Sequence, residues 1–497
     1  MQRSDEPARV VVVGAGVSGL LSARRLRDQG CEVTVVEASE RIGGHVRTID
    51  LDGRHVDVGA ESLHLGAPAA RELVADLGLT DEVVAAGSAP SWLWTAKGRR
   101  VLPAGVGPAG PTRLRPVLRS GVLGLPALAR AGLEPVLART GARLPDDPEV
   151  DVSVGDFVGG RFGAQVREAF VDPLLGGLHS GDVSRLSLRA CTPSLVPAAT
   201  SGHSLILKSF SPKRLLSTPD VLRRRRATPA VARSGPPPVM FASFAQGLSR
   251  LTEALADGAD VRLGRTVTRI ERDEAHGTTT GSSRYVVYLD QGDPLAADAI
   301  VLAVPAPAAA DLVRPHAPQT ADRLADVTLA STATIVLGFR PADVASLEAL
   351  TGNGILVPSR YGSTVKAATH LSTKWPHLVP PADSDASYLV RVSVGRAGSG
   401  EIDRLDDEEL LARVRSDLQR FVGITAEPTL AHVQRWRVGL PQLEVGHVAR
   451  LQRTRAELAE AMPGVVLAGA SYDGVGLTAC ITSATSAAAE VTTSLSR

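Results

Sequence analysis

A glycine-rich stretch near the start of the chain has the spacing of a phosphate-binding turn. It reads Gly14-Ala15-Gly16-Val17-Ser18-Gly19, which is the pattern G-x-G-x-x-G. In this pattern the first glycine makes a tight turn, the second lets the backbone approach a pyrophosphate, and the third allows close helix–strand packing. Glu37 follows 18 positions after Gly19, where a carboxylate accepts hydrogen bonds from an adenosine ribose. The residues predicted to bind a dinucleotide here are Gly14, Gly16, Val17, Ser18, Gly19 and Glu37.

The sequence around these residues indicates the elements that must position them. Residues 8–13 form an apolar run typical of a buried strand, residues 20–30 have a helical pattern, and residues 32–36 predict a second strand. A strand, a glycine turn, a helix and a second strand are the context that the glycine pattern requires. We therefore predict a dinucleotide-binding unit, with an accidental glycine turn as the alternative.

A second glycine pair after Glu37 indicates whether the predicted dinucleotide is NAD or FAD. Residues 37–44 follow the pattern E-A-x-x-R-x-G-G, which is similar to that of FAD enzymes of the glutathione-reductase type in the amine-oxidase branch. NAD domains have no need of this extension. We expect Arg41 to pair with a phosphate; the alternative is a solvated surface arginine. Residues 56–62 resemble the next flavin-contacting turn. The residues predicted to contact FAD here are Ala38, Arg41, Gly43, Gly44, His45, Val46, Gly59, Ala60, Glu61 and Ser62.

The end of the chain combines a short strand, a glycine turn and a helix start that carries almost no charge. Residues 465–467 are apolar, and small residues dominate the stretch from Ala468 to Ala484. The N-terminus of such a helix presents bare N–H groups that suit an electron-rich group. In flavoproteins of this type a distant C-terminal segment binds the flavin ring, so we expect this helix to point at the N1/O2 edge; the alternative is a plain helix cap. The residues predicted to lie at the flavin are Gly469, Gly474, Val475, Gly476 and Leu477.

These patterns predict an α/β fold with a glutathione-reductase-type, Rossmann-like FAD-binding domain. An α+β substrate domain with an antiparallel sheet is expected to be interleaved with it, beside a helical cap. Val267 is expected beside the adenine. The predicted ranges are residues 8–90, 240–305 and 440–495 for the FAD domain, 91–104 and 306–439 for the substrate domain, 105–215 for the helical cap or membrane-facing domain, and 216–239 for a flexible loop.

The bulk composition excludes several classes of function. The chain has 497 residues and a formal net charge of +1, so nucleic acid is not an expected partner. Its three cysteines are far apart and no metal-ligand spacing is present, so we expect a cytoplasmic protein without disulfides or bound metal. No apolar run of about 18 residues indicates a membrane span. The arginine-rich stretch 105–145 leaves two alternatives, a solvated cap or a face that contacts a membrane surface or delivers substrate.

Several further motifs resemble those of the protoporphyrinogen oxidase family, which includes the coproporphyrinogen III oxidases of Gram-positive bacteria. The resemblance covers nearly the whole chain, whereas general amine oxidases share only the first and last motifs. The matching stretches are the Pro-Leu-x-x-Gly run with Gly-Asp at 173–182, Leu-Ser-Leu-Arg at 186–189, Lys-Trp-Pro at 374–376, Arg-Trp at 435–436, Pro-Gln at 441–442, Val-Gly-His at 445–447 and the flavin-binding tail at 472–476.

The resemblance implies an FAD-dependent oxidation of a porphyrinogen to a porphyrin. It implies hydride transfer to flavin N5, reoxidation by O2 with release of hydrogen peroxide, and three rounds that remove six electrons. It adds Trp436 to the cofactor-binding residues and implies no catalytic side chain, because the flavin carries the chemistry. The substrate carboxylates require cationic partners, for which the candidates are Lys97, Lys208 and Lys374, followed by Arg99 and Lys213; the alternative is ordinary surface charge.

The chain also departs from the family pattern, and the departures concern the substrate more than the cofactor. Many bacterial relatives have basic residues just after the turn at 59–62, whereas residues 63–68 here offer only His64 as a possible cation. Thr478 stands in place of a proline, Leu440 in place of a methionine, and His45 at a position that is usually apolar. Two alternatives therefore remain beside a porphyrinogen oxidase: a flavin oxidase of the same fold acting on another small molecule in secondary metabolism, and a flavin-binding protein without turnover.

Overall fold

The computed structural model of the protein describes residues 6–141, 143–207, 240–273, 283–381 and 384–496. Lys208, Lys213 and the loop predicted at 216–239 lie outside the described residues. Among the described residues, no helix combines the length and the apolar character that crossing a membrane requires.

The strands found among the described residues belong to six sheets. In chain order they are β1 (Arg9–Val13), β2 (Glu32–Val36), β3 (Thr48–Leu51), β4 (Arg54–Asp57), β5 (Leu63–His64), β6 (Val83–Ala85), β7 (Ser91–Thr95), β8 (Gly98–Val101), β9 (Val106–Gly107), β10 (Gly110–Pro111), β11 (Phe241–Phe244), β12 (Asp260–Arg262), β13 (Val267–Arg272), β14 (Tyr285–Leu289), β15 (Leu295–Ala297), β16 (Ala299–Leu302), β17 (Leu329–Phe339), β18 (Gly354–Leu356), β19 (Val365–His370), β20 (Tyr388–Val394), β21 (Leu430–Pro441) and β22 (Val465–Leu467).

The α-helices connect and cover these sheets. In chain order they are α1 (Val17–Asp28), α2 (Pro68–Asp76), α3 (Leu114–Ser120), α4 (Leu125–Gly132), α5 (Glu134–Thr140), α6 (Val154–Phe162), α7 (Ala164–Val166), α8 (Gly177–His179), α9 (Leu188–Cys191), α10 (Val196–Ser201), α11 (Ser249–Ala256), α12 (Ala306–Val313), α13 (Pro318–Ala325), α14 (Pro341–Val344), α15 (Leu371–Lys374), α16 (Glu401–Arg404), α17 (Asp407–Phe421), α18 (His447–Ala461), α19 (Ala470–Asp473) and α20 (Leu477–Leu495). A π-helical stretch, Arg167–Gly176, lies between α7 and α8.

A five-stranded parallel sheet in the order β12-β2-β1-β16-β22 forms the base of the fold. Its central strand, β1, is a run of four valines, because a strand covered on both faces needs apolar side chains on both. Val10 and Val12 pack with residues of α1 and α20, whereas Val11 and Val13 pack toward β13–β15 and α12. The sheet thus brings together three segments that are far apart in the chain.

A seven-stranded sheet in the order β21-β17-β20-β19-β18-β7-β8 forms the second layer. Its pairs are antiparallel except for β18 and β7, which run parallel. One face packs against α17 through residues such as Ile335, Val392 and Leu418. Strand β21 crosses the domain boundary predicted at residue 440, because it continues to pair with β17 up to Pro441. The predicted boundary at 440 therefore falls within a strand, and the division into domains stays a prediction.

The helices from α3 to α10 form a third unit with its own apolar core, which includes Val117, Val158 and Phe170. Arg161 and Glu134 form an ion pair inside this unit, with side chains 6% and 0% exposed. A helical unit therefore lies in the range for which the sequence predicts a helical cap.

Candidate functional site

The first glycine turn joins β1 to α1 at the carboxyl end of the parallel sheet. Gly14 has a φ of +103° and donates its N–H to the Val36 carbonyl at 2.7 Å. A Cβ on Gly14 would lie 2.7 Å from the Ala303 carbonyl oxygen, and one on Gly19 would lie 1.9 Å from the Gly14 carbonyl oxygen. A Cβ on Gly16 would meet no protein atom within 4 Å. The turn is therefore closely packed around Gly14 and Gly19 and open at Gly16, as a phosphate approaching the backbone requires.

Glu37 holds the end of β2 against this turn. One carboxylate oxygen accepts the Ala15 N–H at 2.7 Å, and the other accepts the N–H and the hydroxyl of Ser39 at 2.9 and 2.8 Å. The Glu37 carbonyl accepts the N–H of Arg265, two residues before Val267, at 2.9 Å. The oxygen that bonds Ala15 retains capacity for a further donor, such as a ribose hydroxyl. Glu37 thus joins the glycine turn to the strand that begins at Val267.

The second glycine turn lies directly on the first. The Gly43 N–H donates to the Ala15 carbonyl at 2.7 Å, and Gly43 and Gly16 form a parallel β-bridge. The Arg41 guanidinium donates to three carbonyls of this turn rather than standing free in solvent. Those carbonyls belong to Ile42, Gly44 and Val46, at 3.1, 2.6 and 3.2 Å. Arg41 therefore stabilises the turn itself, and its predicted contact with a phosphate stays a prediction.

Strand β21 covers the second turn through an aromatic pair. The rings of His45 and Trp436 meet edge to face, with centroids 5.0 Å apart, and the Trp436 indole N–H donates to the Val58 carbonyl at 3.2 Å. A Cβ on Gly59 would lie 2.0 Å from the His45 carbonyl oxygen. Desolvation and the positive charge of Arg41 lower the pKa of His45, so its imidazole is neutral at pH 7. These contacts assemble the two predicted flavin turns with a residue of β21.

Glu61 belongs to a charged cluster beside these turns. Its carboxylate accepts from the Lys374 ammonium at 2.6 Å and from the Trp375 indole N–H at 3.2 Å, and it also pairs with Arg391. Burial alone would raise the pKa of Glu61, but the charges of Lys374 and Arg391 outweigh that effect and hold the pKa at about 2. Arg391 also donates to the Gly59 carbonyl. The sequence predicts a flavin contact for Glu61, and the structure gives its carboxylate two cationic partners.

The C-terminal glycines lead into α20 without any side-chain cap. Gly469, Gly474 and Gly476 have φ values of +120°, +128° and +108°, and a Cβ on Gly476 would meet no protein atom within 4 Å. Gly476 is the N-cap residue of α20, so the first N–H groups of that helix have no capping side chain. Asp473 is fixed by the Arg455 guanidinium, with two bonds of 2.9 and 2.8 Å. This segment presents a helix N-terminus toward open space.

Helix α18 holds the tail that precedes these glycines. Tyr472 is 2% exposed, and its hydroxyl donates to the Val304 carbonyl at 2.9 Å. Its carbonyl accepts from His447 Nε2 at 2.7 Å. Burial lowers the pKa of His447, so the ring is a neutral donor at pH 7. The tail is therefore fixed from both sides by buried hydrogen bonds, which set the direction of α20.

The N-terminal parts of α1 and α20 lie against each other. The hydroxyls of Ser18 and Ser22 donate to the carbonyls of Cys480 and Ala484, both at 3.2 Å. A Cβ on Gly469 would lie 3.7 Å from the Ser18 hydroxyl oxygen. Two helix starts without side-chain caps, 460 residues apart in the sequence, therefore converge at one place. Their positive dipole ends suit a ligand with a pyrophosphate and an electron-rich ring, which is the chemistry of FAD.

One face of the seven-stranded sheet extends from this place. Val336 and Leu389 on that face pack with Val56 and Val58 of the turn region. The strand registers place eight further residues on the same face, opposite the one that packs on α17. They are Thr332, Thr334, Ala367, Thr369, Arg391, Ser393, Gln434 and Trp436. The two threonines of β17 are buried and the other six residues are half-buried; these eight residues are called the polar face of the sheet below.

Comparison with known proteins defines the family. The model of the flavin containing amine oxidoreductases matches residues 17–492. The chain belongs to the flavin containing amine oxidoreductase family. This oxidoreductase is 30% identical over 501 residues to the coproporphyrinogen III oxidase of Bacillus subtilis, covering 99% of each chain. It is 32% identical to that of Propionibacterium freudenreichii, over 97% of this chain and 90% of the relative. The predicted resemblance to the porphyrinogen oxidases is confirmed.

Solved structures agree with this assignment. A crystal structure from Exiguobacterium sp. 255-15, provisionally named a protoporphyrinogen oxidase, superposes with a TM-score of 0.79 at 27% identity and covers 99% of this chain and 100% of that one. Putrescine oxidase, bound to putrescine, superposes with a TM-score of 0.66 at 16% identity and shares the fold. The mixed α/β fold and the FAD cofactor are thus confirmed. No group of three potential metal ligands is present among the described residues of this oxidoreductase.

The predicted site residues of the oxidoreductase divide into three sets. The glycines, Glu37, Arg41, His45 and Trp436 converge on the two turns and the start of α20, as described above. The other predicted cofactor residues lie in the same segments: Val17, Ser18, Ala38, Val46, Ala60, Ser62, Val475 and Leu477. Lys374 has an internal partner in Glu61, and Lys97 lies on the exposed turn between β7 and β8. Neither lysine is therefore favoured as a ligand for a substrate carboxylate.

Sequence reasoning missed three residues that support the oxidoreductase site. Arg391 lies 330 positions from its partner Glu61, and nothing in the pattern of β20 distinguishes it from a surface arginine. Arg455 and His447 lie on α18, and their partners in the tail become apparent only in the fold. The Val-Gly-His motif includes His447, but the motif does not indicate that its partner is the Tyr472 carbonyl.

Proposed function

We propose that the chain is an FAD-dependent oxidase that converts a porphyrinogen, foremost coproporphyrinogen III, to the porphyrin in haem biosynthesis. The observation that carries this proposal is the match to the coproporphyrinogen III oxidase of Bacillus subtilis along 99% of both chains. The polar face of the seven-stranded sheet supports it, because that face adjoins the predicted flavin turns through Val336, Leu389, Val56 and Val58 and a flat macrocycle requires a broad surface beside the flavin.

The residues proposed to hold FAD act at three places. The Gly14–Gly19 turn and the start of α1 receive the pyrophosphate, and Glu37 accepts hydrogen bonds from the ribose. The turn from Gly43 to Val46 lies beside the flavin with Gly59, and the start of α20 faces the N1/O2 edge. When bound, FAD supplies hydride acceptance at N5 and reoxidation by O2 with release of hydrogen peroxide.

The protein is proposed to bind and orient the substrate rather than to move protons. His45 is a neutral ring beside Trp436, and Glu61 stays ionised against its two cations. Both groups therefore keep these charge states near pH 7 when no substrate is bound. Three passes of the substrate across the same site would remove the six electrons that separate a porphyrinogen from a porphyrin.

The test is oxidation of two porphyrinogens by the FAD-loaded protein in air. Coproporphyrinogen III and protoporphyrinogen IX are supplied separately, and porphyrin fluorescence and peroxide are followed together. We expect turnover of coproporphyrinogen III with about three peroxides per porphyrin, the ratio that two electrons per flavin cycle require. The Gly476→Leu variant, depleted of FAD, is the control for spontaneous oxidation. A bound flavin that neither porphyrinogen reduces would overturn the proposal and favour another small molecule as substrate.

A further inference from the structure

Lys366 is a buried lysine without a carboxylate partner. It lies on β19, is 4% exposed, and its ammonium donates to the hydroxyl of Ser180. Among the described residues, no aspartate or glutamate forms an ion pair with it. Burying an ammonium without a counter-charge costs free energy. An anion bound beside Lys366 would reduce that cost.

The charges around Lys366 make a positive charge on its side chain still less favourable. Burial, followed by the positive charges of Arg396 and Arg391, lowers the pKa of Lys366 to about 7. The Arg396 guanidinium donates to the Val357 carbonyl at 3.2 Å, and the Val357 N–H donates to the Lys366 carbonyl at 2.8 Å. Glu61, which balances Arg391, is shared with Lys374. Asp172 and Glu401 act on the charge of Arg396, so within the cluster of Lys366, Arg391 and Arg396 the Lys366 ammonium is the cation without a carboxylate of its own.

The cluster adjoins the polar face of the sheet defined above. Lys366 lies at the β-bulge of β19, between Val365 and Ala367, and Ala367 and Arg391 belong to that face. Ser180 has a φ of +52°, and its carbonyl accepts the Ala397 N–H at 2.7 Å, which fixes the loop after α8 to the end of β20. The strained backbone at Ser180 is thus held so that its hydroxyl meets the Lys366 ammonium.

A buried nitrogen without a hydrogen-bond partner lies next to this pair in the chain. His179 precedes Ser180, is 3% exposed, and its Nδ1 has no hydrogen-bond partner among the described residues. An unpaired buried nitrogen is as costly to leave unsatisfied as a lost hydrogen bond. The Lys366 ammonium has three N–H donors and one partner, the Ser180 hydroxyl, so two neighbouring segments retain unused hydrogen-bonding capacity that a polar ligand would satisfy.

We propose that Lys366 and Ser180 bind a carboxylate side chain of the substrate. This inference rests on the proposed function and names the part of the site that recognises the substrate's acidic groups. A carboxylate accepts from an ammonium and a hydroxyl at once and supplies the missing negative charge. The assignment also explains how the chain binds an acidic macrocycle without basic residues at 63–68.

The test compares three variants of the FAD-loaded protein with the wild type. Lys366→Met keeps the length of the side chain and removes its charge, Lys366→Arg restores the charge, and Arg340→Met removes a charge from an exposed side chain of the same sheet. For Lys366→Met we expect the KM for coproporphyrinogen III and the Kd for coproporphyrin III to rise about tenfold or more, the scale of a charge-assisted hydrogen bond. The kcat should change far less, Lys366→Arg should recover most of the affinity, and Arg340→Met should match the wild type.

A ligand-side control separates recognition from structural damage. Coproporphyrin III tetramethyl ester lacks the free carboxylates, so it should bind the wild type more weakly than coproporphyrin III does. The difference in Kd between the acid and the ester should be smaller in Lys366→Met than in the wild type. If Lys366→Met does not retain FAD, Ser180→Ala replaces it, with a smaller loss of affinity expected. Unchanged KM and Kd in the variant that folds, or an unchanged gap between acid and ester, would overturn the inference.

The outcomes also distinguish this inference from the proposed function. Turnover of coproporphyrinogen III with the same KM in the wild type and in Lys366→Met would support the proposed function and refute the carboxylate site. Binding of coproporphyrin III that depends on Lys366, without turnover of either porphyrinogen, would support the site and refute the function. A wild type that neither binds coproporphyrin III nor oxidises a porphyrinogen would refute both.

Discussion

Replacement of Glu61 by glutamine removes one charge from the cluster that joins the flavin turn to the second sheet. The glutamine keeps the shape of the side chain, but it leaves Lys374 and Arg391 without a carboxylate. The three side chains are only 11%, 20% and 11% exposed, so solvent screens them weakly. We expect Glu61→Gln to reduce the free energy of unfolding at neutral pH.

The magnitude follows from the pKa. In the folded protein the pKa of Glu61 is about 2, against an ordinary value of 4.5. A difference of about 2.5 pKa units corresponds to about 3 kcal/mol at 1.36 kcal/mol per unit. Because the folded pKa is the lower one, this stability is fully present above pH 4.5 and is lost as the pH falls toward 2. About 1 kcal/mol of it should be gone by pH 4 and about 2 kcal/mol by pH 3.

Urea unfolding of the FAD-loaded protein measures the effect. Tryptophan emission is a suitable probe, because the Trp375 indole donates to the same carboxylate at 3.2 Å. Flavin fluorescence gives a second transition, and the two must coincide before a free energy is calculated. The matched control is Glu271→Gln, whose partner is Arg269 and whose ion pair is about half exposed. We expect this control to change stability by less than about 0.5 kcal/mol.

Two results would refute the reasoning. The first is a Glu61→Gln midpoint equal to that of the wild type at pH 7. The second is a difference between the two proteins that stays constant from pH 5 to pH 3. Either result would mean that Lys374 and Arg391 find other partners or solvent when the carboxylate is lost.

Three further predictions concern the cofactor and the buried carboxylate of β4. Gly476→Leu should lose most of the bound FAD, because a φ of +108° is strained for any side chain and the leucine would enter the open space before α20. The absorbance at 450 nm per mole of protein measures the bound FAD. Full FAD occupancy in this variant would contradict the placement of the flavin at the start of α20. Glu37→Ala should weaken FAD binding by about 1–3 kcal/mol, as measured by fluorescence titration, and unaltered affinity would argue against the ribose contact. Burial raises the pKa of Asp57 to about 6 despite hydrogen bonds from Thr48, Leu248 and Ser243, so the folded protein holds this proton more tightly than the unfolded chain. The contribution of Asp57 to stability should therefore fall by about 2 kcal/mol as the pH rises from 4.5 to 7. Urea unfolding of wild type and Asp57→Asn at these two pH values measures it, and a difference between the two proteins that does not change with pH would contradict the prediction.

The parts of the site that sequence reasoning predicts are those in which local spacing and backbone geometry coincide. The Gly14–Gly19 turn, Glu37 and the start of α20 each lie in a segment whose strand, turn and helix can be read within about thirty residues. Glycine positions are especially informative, because a Cβ at Gly14, Gly19 or Gly59 would collide with a backbone carbonyl. Such constraints appear in the sequence itself.

The parts that it misses depend on contacts between distant segments. Arg391 resembles a surface arginine in the pattern of β20, yet it pairs with Glu61, 330 positions away. Lys374 matches a family motif, yet its charge is balanced by Glu61, 313 positions away. The type of a residue limits the hydrogen bonds and ion pairs that it can form. Which partner it contacts depends on the fold.

The described lysines differ in whether a carboxylate neutralises them, and this difference bears on where an acidic substrate would bind. Lys374 is balanced by Glu61, and Lys97 is exposed to water on a hairpin turn, where a single charge interacts weakly with any ligand. Lys366 is the described lysine that is both buried and unmatched. A carboxylate that reaches it meets a site of low dielectric, where a charged hydrogen bond is stronger than at the surface. We therefore expect an acidic substrate to be recognised at the edge of β19. We also expect this chain to tolerate the absence of basic residues at 63–68, because Lys366 supplies the charge.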